Sequence, residues 1–392
     1  MRWLGVGLAL MLVAGPAQAK IERVYIGSFT PPPAGQHGAG IYLADFDTAT
    51  GRLSTPKPVA KAPSPSWLVI DKAKGVLYSA NSTNDFADPK VNHKVGSVSA
   101  WRIDRKTGAL TLIDQVSAGD SPVALALHPS GKYLFSANYD DGSATVYPIR
   151  ADGGLGNYTD IVRPTGPLHP GHAADEPPGN LALSSHTHSH VHFVGMDPGG
   201  KYVLFNDAGL DNVLVFALDT GTGKLKPVFT QHETPGSAPR HFVFDASGKR
   251  FYNLLEHGLK VTFSSFDPAT GTLTKRQTVS AVPDYFAGSA LSSELLMSKD
   301  GHYVYAGIRI HDTIASFRVG ADGRLTRLGE VPTGADHPRS LIIDPSGGYL
   351  FSMNQLGDSI TVFRLPGKGG VPEPLNHFTP VGSPAAMAFL DD

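Results

Sequence analysis

The 392-residue chain contains no cysteine. That excludes a disulfide framework, a lipid attached through an N-terminal cysteine, haem held by C-x-x-C-H and a thiol nucleophile. The fold must therefore rest on its core. Long apolar runs are missing too: the run from Leu4 to Ala14 is too short to span a bilayer, and no later stretch reaches the roughly 18 apolar residues of a membrane-spanning helix. An excess of either charge is absent, with Lys+Arg 33 against Asp+Glu 35. No basic patch or tail points to nucleic acid or an anionic membrane surface. The chain has no G-x-S-x-G elbow, no P-loop and no H-E-x-x-H helix, which removes the usual serine-hydrolase, nucleotide and zinc-protease templates. A small molecule is the expected partner, and a monomer the expected state.

What is present begins with "MRWLGVGLALMLVAGPAQAK". Arg2, the apolar run and the small residues Ala17 and Ala19 form the three regions of a secretory signal peptide, with cleavage expected after Ala19. Residues 1–19 are read as that signal, and the mature protein as periplasmic or secreted without a membrane anchor.

A unit then recurs: apolar strand, "PSGKY"-type turn, apolar strand, Gly-Asp turn, third strand, and "D-x-x-T-G-x-L" leading into a fourth. Its turn glycines Gly200, Gly248, Gly301 and Gly347 lie 48, 53 and 46 residues apart by subtraction. Four short strands per unit at this period predict an all-β, seven-bladed propeller over residues 20–392, as one domain. The closing segment "PAAMAFL" has no unit of its own. It is expected to complete the first blade and leave no open edge. One unit is interrupted by a Pro-, Gly- and His-rich insertion over about 160–187, long enough to suggest a functional or mobile loop.

The insertion ends in "SSHTHSHVHF", with His186, His188, His190 and His192 at alternate positions. In a regular strand all four imidazoles would share one face, but only His190 and His192 are expected to enter the innermost strand and point towards the site, with His186 and His188 left in the inserted loop. In a propeller blade the start of the innermost strand and the end of the second strand meet at one face of the ring. At those positions stand His190 with His192, Arg240 with His241, Glu294 and Arg339, together with Asn138, Asp207, Glu256, Arg309 and Gln355. Charges near a propeller axis must be paired or hydrogen-bonded. Imidazole, carboxylate and guanidinium gathered on one face predict a polar central pocket, although the same groups could simply plug the channel. No cofactor is expected. A divalent metal held by the His190 and His192 pair with Glu256 or Asp207 is the lesser alternative.

The segments "YIGSFT", "SPSWL", "HPSGKYLFSANYDDGSATVY", "HVHFVGMDPGGKYV", "APRHFVFDASGKRFYNLLE" and "HPRSLIIDPSGGYLF" follow in an order that resembles the bacterial lactonase family of seven-bladed propellers, which includes 6-phosphogluconolactonases and is related to carboxymuconate cyclases. The likeness spans essentially the whole mature chain. It implies a site made of His190 and His192 from an H-x-H segment, Arg240 and His241 from P-R-H, and Glu256 and Arg309 after two later strands. Where the family often has Asn-Glu and Asn-Arg, this chain has Leu255-Glu256 and Ile308-Arg309.

The implied chemistry is the opening of a cyclic ester of sugar-acid type. His192 would take the proton of the attacking water, with His190 as second candidate. Arg240 and Arg309 would face the developing oxyanion, and Glu256 would orient the imidazole or protonate the leaving alkoxide. Asp207, His241, Glu294, Arg339, Asn138 and Gln355 are the expected substrate-binding residues. Two other readings stay open: a lactonising cyclase of the muconate type, and a non-catalytic propeller that binds a ligand or a protein.

Overall fold

The computed structural model describes residues 20–32, 35–88, 92–366 and 370–390. The signal peptide read over residues 1–19 lies outside them. The described residues form seven antiparallel sheets, and no helix among them is long and apolar enough to cross a membrane.

The innermost strands, taken from blade 1 to blade 7, are Pro384–Phe389, Pro65–Asp71, Pro122–Leu127, Val191–Met196, Pro239–Phe244, Leu291–Met297 and Pro338–Ile343. Each packs beside the next, and the seventh returns to the first. Blade 1 takes strands from both chain ends, as expected: Ile21–Ser28 pairs with Ile41–Asp47 on one side and with Pro384–Phe389 on the other. Sheet edges that meet in a ring offer no partner to another chain.

Second strands such as Tyr133–Asn138, Tyr202–Asp207 and Tyr349–Asn354 are buried along their whole length, and their apolar side chains fill the spaces between neighbouring blades. At the joint of blades 7 and 1, Phe46 packs edge-on against Tyr349, Phe351 and Phe389 at 5.2, 4.9 and 6.1 Å. The PSGK-type turns lie at the opposite end of the strands from the polar residues, and Gly200 and Gly248 take φ of 67° and 66° there, a conformation that favours glycine. The insertion starts later than expected. Asp160–Val162 pairs with Ser143–Pro148 as the outer strand of blade 3, which leaves residues 163–190 to cross between blades.

Candidate active site

One irregularity at the head of every innermost strand builds the site. In blade 2, Pro65 opposes Asn81 and Trp67 opposes Ala80, so Ser66 is skipped by the pairing. The same skip falls on Val123, His192, Arg240, Arg339 and Ala385 in blades 3, 4, 5, 7 and 1. In blade 6 it covers Ser293 and Glu294. A β-bulge re-aims the extra side chain, and the six single skipped residues all line one axial pocket. Five of these strands begin with proline after a non-glycine residue at positive φ: Ser64 (43°), Ser121 (49°), Ala238 (53°), His337 (62°) and Ser383 (42°). The proline fixes its own φ, and the left-handed residue before it turns the chain sharply into the strand.

The histidine run divides between loop and strand head as expected, with His186 and His188 in the insertion, and the bulge separates His192 from His190. Val191 pairs with Asp207 and Phe193 with Asn206, so the two-residue period breaks at His192. His192 lines the axial pocket. His190 precedes the strand, and its Nδ1–H donates to the Tyr139 carbonyl at 2.8 Å. The His188 ring lies 4.1 Å from that of His190, tilted by 44°, and donates through Nε2 to the Asp140 carbonyl at 2.7 Å. His186 is buried against Asp211.

Around the pocket the ring is lopsided. Blades 4, 5 and 7 contribute His192, Arg240 with His241, and Arg339 with Ser340, whereas blades 1, 2 and 3 contribute the uncharged Ala385, Ser66 with Trp67, and Val123. The cavity between the uncharged and the charged side is about 10 Å³, space for about one water, so a sugar-sized ligand needs the surrounding side chains to move. Glu256, just past the second strand of blade 5, holds two of the guanidiniums: Arg309 Nη2 donates to its Oε1 at 2.6 Å, and Arg240 Nε lies 3.2 Å from Oε2. Arg309 also donates to the Ser292 carbonyl at 2.8 Å, and Arg240 to the Ser293 carbonyl. Burial raises the Glu256 carboxyl, but Arg309 and Arg240 outweigh it and hold the group below the ordinary carboxylate range. It is therefore an anion that positions two cations.

His241 is clamped next to this pair. Its Nδ1–H donates to Glu294 Oε1 at 2.6 Å, while its Nε2 accepts from Arg240 Nη1 at 3.1 Å. Ser340 donates to the other Glu294 oxygen at 3.1 Å. The His241 ring lies 5.3 Å from that of His192. Burial, together with Arg240, pushes His192 well below 6.5, and its buried Nδ1 has no hydrogen-bond partner. It is a neutral imidazole beside three guanidiniums. Arg339 is half-buried over the Phe29 ring at 5.2 Å and makes no ion pair among the described residues.

Two of the remaining expected binding residues, Asn138 and Asp207, are used elsewhere. Asn138 is fully buried within blade 3, where it accepts from Ser136 and donates to Ser143 and Thr145. Asn81 and Asn354 do the same in blades 2 and 7, each tied to serine or threonine side chains of its own blade. Asp207 accepts from Ser189 and from the backbone N–H groups of His190, Gly209 and Leu210. It holds the turn that carries His190. Gln355 is half-buried, just past the second strand of blade 7. Sequence reasoning missed His337, whose pKa burial and Arg309 push down to about 3, which places a further neutral imidazole near the arginines. Its signal was the "HPR" segment, the counterpart of "APR" two blades earlier.

The alternative metal site at His190 and His192 is not assembled. Asp207 is occupied by backbone donors and Glu256 by arginines, and among the described residues the group that brings three ligand atoms together is His172, Glu176 and His257.

A closed seven-bladed propeller with a cationic axial pocket defines the class of protein. The sequence profile described as "Lactonase, 7-bladed beta-propeller" matches residues 23–389, and the chain belongs to that family. The 6-phosphogluconolactonase of Bacillus subtilis (strain 168) is 29% identical over 368 residues, 93% of this chain and 97% of its own length. That of Formosa agariphila is 28% identical over 353 residues, 87% and 92% of the two chains. Among solved structures, the periplasmic gluconolactonase PpgL of Pseudomonas aeruginosa matches with a TM-score of 0.83 at 27% identity, covering 95% of this chain and 99% of that one.

Proposed function

We propose that this protein is a periplasmic lactone hydrolase that opens a sugar-type lactone, with His192 as the base. The observation that carries this reading is a neutral, unpartnered imidazole facing guanidiniums in the axial pocket. His192 accepts a proton as water adds to the lactone carbonyl carbon. Arg240 and Arg309, held in place by Glu256, face the oxygen on which negative charge develops. When the ring C–O bond breaks, the imidazolium returns its proton to the leaving alkoxide, and the product is a hydroxy acid. Because Glu256 is held as a carboxylate, proton return falls to His192 rather than to Glu256. The free guanidinium of Arg339 suits a second anionic or hydroxyl-rich end of the substrate.

A periplasmic address favours a free aldonolactone over a phosphorylated one made in the cytosol. The experiment is proton release by the purified mature protein on a panel of sugar and unsaturated lactones, with His192→Ala and Arg309→Met alongside. Turnover by the parent should fall at least about a hundredfold in each variant, the scale of one lost oxyanion donor. Unchanged turnover in Arg309→Met, or no turnover of any lactone by the parent, removes the hydrolase reading.

A further inference from the structure

The inserted segment 163–190 is tied down on several blades. His169 Nδ1 lies 2.9 Å from Asp211 Oδ2 in blade 4. Gly288 N donates to the Pro178 carbonyl at 2.9 Å, and Asn180 Nδ2 to that of Ala290 at 3.3 Å. Between these anchors the segment rests on Gly236. That residue has φ 80°, and a Cβ there would come within 2.5 Å of the His172 carbonyl oxygen. The seating delivers His172 and Glu176 to His257, the residue next to Glu256.

The three side chains form a chemically incomplete arrangement. His257 is fully buried, and its Nε2–H donates to the Ala182 carbonyl at 2.5 Å. The neutral ring then carries its lone pair on Nδ1. That nitrogen lies 2.8 Å from Glu176 Oε2, yet neither atom has a hydrogen-bond partner of acceptable geometry. Two buried acceptors facing each other at this distance repel unless a positive charge joins them. His172 Nδ1 approaches the other carboxylate oxygen at 2.8 Å, and the two imidazole rings stand 4.8 Å apart at 79°. One ligand atom from each residue lies within 4.8 Å of the others.

We propose that His172, Glu176 and His257 form a binding site for a divalent transition-metal ion of the zinc type, distinct from the axial pocket, that clips the inserted segment to blade 5. Imidazole and carboxylate are ligands that zinc accepts, at about 2.0–2.2 Å, which sets neighbouring ligand atoms about 3.4 Å apart in a tetrahedron. Closing a separation of up to 4.8 Å to that spacing takes a movement of up to about 1.4 Å, and His172, 45% exposed in its side chain, is free to make it. The Ala182 carbonyl behind His257 is the outer partner that fixes the tautomer of a ligating imidazole. Water completes the fourth position. The clip holds the insertion one residue from the carboxylate that organises Arg240 and Arg309. It takes no part in turnover, so its test does not depend on the lactonase reading.

Untagged, metal-stripped protein is titrated with Zn2+ by calorimetry, with bound metal counted by elemental analysis. One ion per chain is expected. His172→Ala and Glu176→Gln should each weaken binding at least about tenfold, whereas His192→Ala should bind as the parent does. Proteolysis within 163–190 should slow on adding Zn2+ to the parent and stay unchanged in the two clip variants. The proposal is overturned if the parent takes up no zinc, if both clip variants retain full affinity, if His192→Ala loses the ion, or if zinc leaves proteolysis of the parent unaffected.

Discussion

At the scale of single residues, Glu256 decides whether the pocket can hold its charges. Arg240 and Arg309 are both buried, and Glu256 is the carboxylate that contacts them. Glu256→Gln keeps the shape and removes the charge. Leaving a buried charge uncompensated costs about 3–5 kcal/mol, so the urea midpoint should drop and turnover vanish together. A variant as stable as the parent would show that the arginines find other counter-charges. The imidazoles add a pH dependence. Burial lowers the pKa of His190, His192 and His241 below 6.5 and that of His337 to about 3. The unfolded chain therefore takes up protons that the folded chain refuses as pH falls below 6.5. Stability should be fullest above that value and decline on acidification. His186 works the other way: burial lowers its pKa, but the hydrogen bond to Asp211 outweighs this and raises it. Denaturation at pH 8, 6 and 5 measures the balance, and a midpoint that rises on acidification would contradict it. Turnover should keep its base at low pH, because His192 stays neutral well below 6.5.

At the scale of strands, the bulge at the head of each inner strand turns a repeat into a site. The same position carries Ala385, Ser66 and Val123 on one side and His192, Arg240 and Arg339 on the other. Filling the small side should block ligand without touching the charged groups. Ala385→Phe is expected to raise KM or abolish turnover with little change in the far-UV spectrum, and unaltered kinetics would place the substrate elsewhere. This geometry also explains what could be read from sequence. The blade repeat, the closing segment and the charged residues at strand ends are local patterns, and each was legible. The bulges were not, because a skipped residue leaves no mark in an alternating pattern. That is why "SSHTHSHVHF" was expected to carry both His190 and His192 into the strand, when His190 precedes it and the bulge falls on His192. Asn138 and Asp207 were misplaced for a related reason: position near a strand end does not reveal that neighbouring serines and backbone N–H groups already satisfy a side chain. The meeting of His172 and Glu176 with His257 depends on how a long insertion folds across blades, about which its composition says nothing.

At the scale of the whole molecule, one repeated hydrogen bond joins neighbouring blades at six joints of the ring. Tyrosines of the second strands donate to carbonyls in the outer turn of the next blade: Tyr25 to Gly108, Tyr78 to Gly153, Tyr133 to Thr220, Tyr202 to Ala269, Tyr252 to Gly323, and Tyr349 to Thr48 across the joint of blades 7 and 1. Most joints also have the polypeptide running through them. Blade 1 differs, because Pro384–Phe389 is held to Ile21–Ser28 by pairing and packing alone. The ring can open there without unravelling any other blade, so local opening should begin at this seam. Backbone amides of Ile21–Ser28 that pair with the C-terminal strand should exchange with solvent faster than those of Arg250–Leu255 in blade 5. Phe389→Ala, which removes a ring packed on Phe46 and Phe351, should widen the difference and cost about 3–5 kcal/mol of overall stability. Equal protection of the two strands, in the parent and in the variant, would mean that the seam is as cooperative as a continuous blade and that the whole ring opens as one unit.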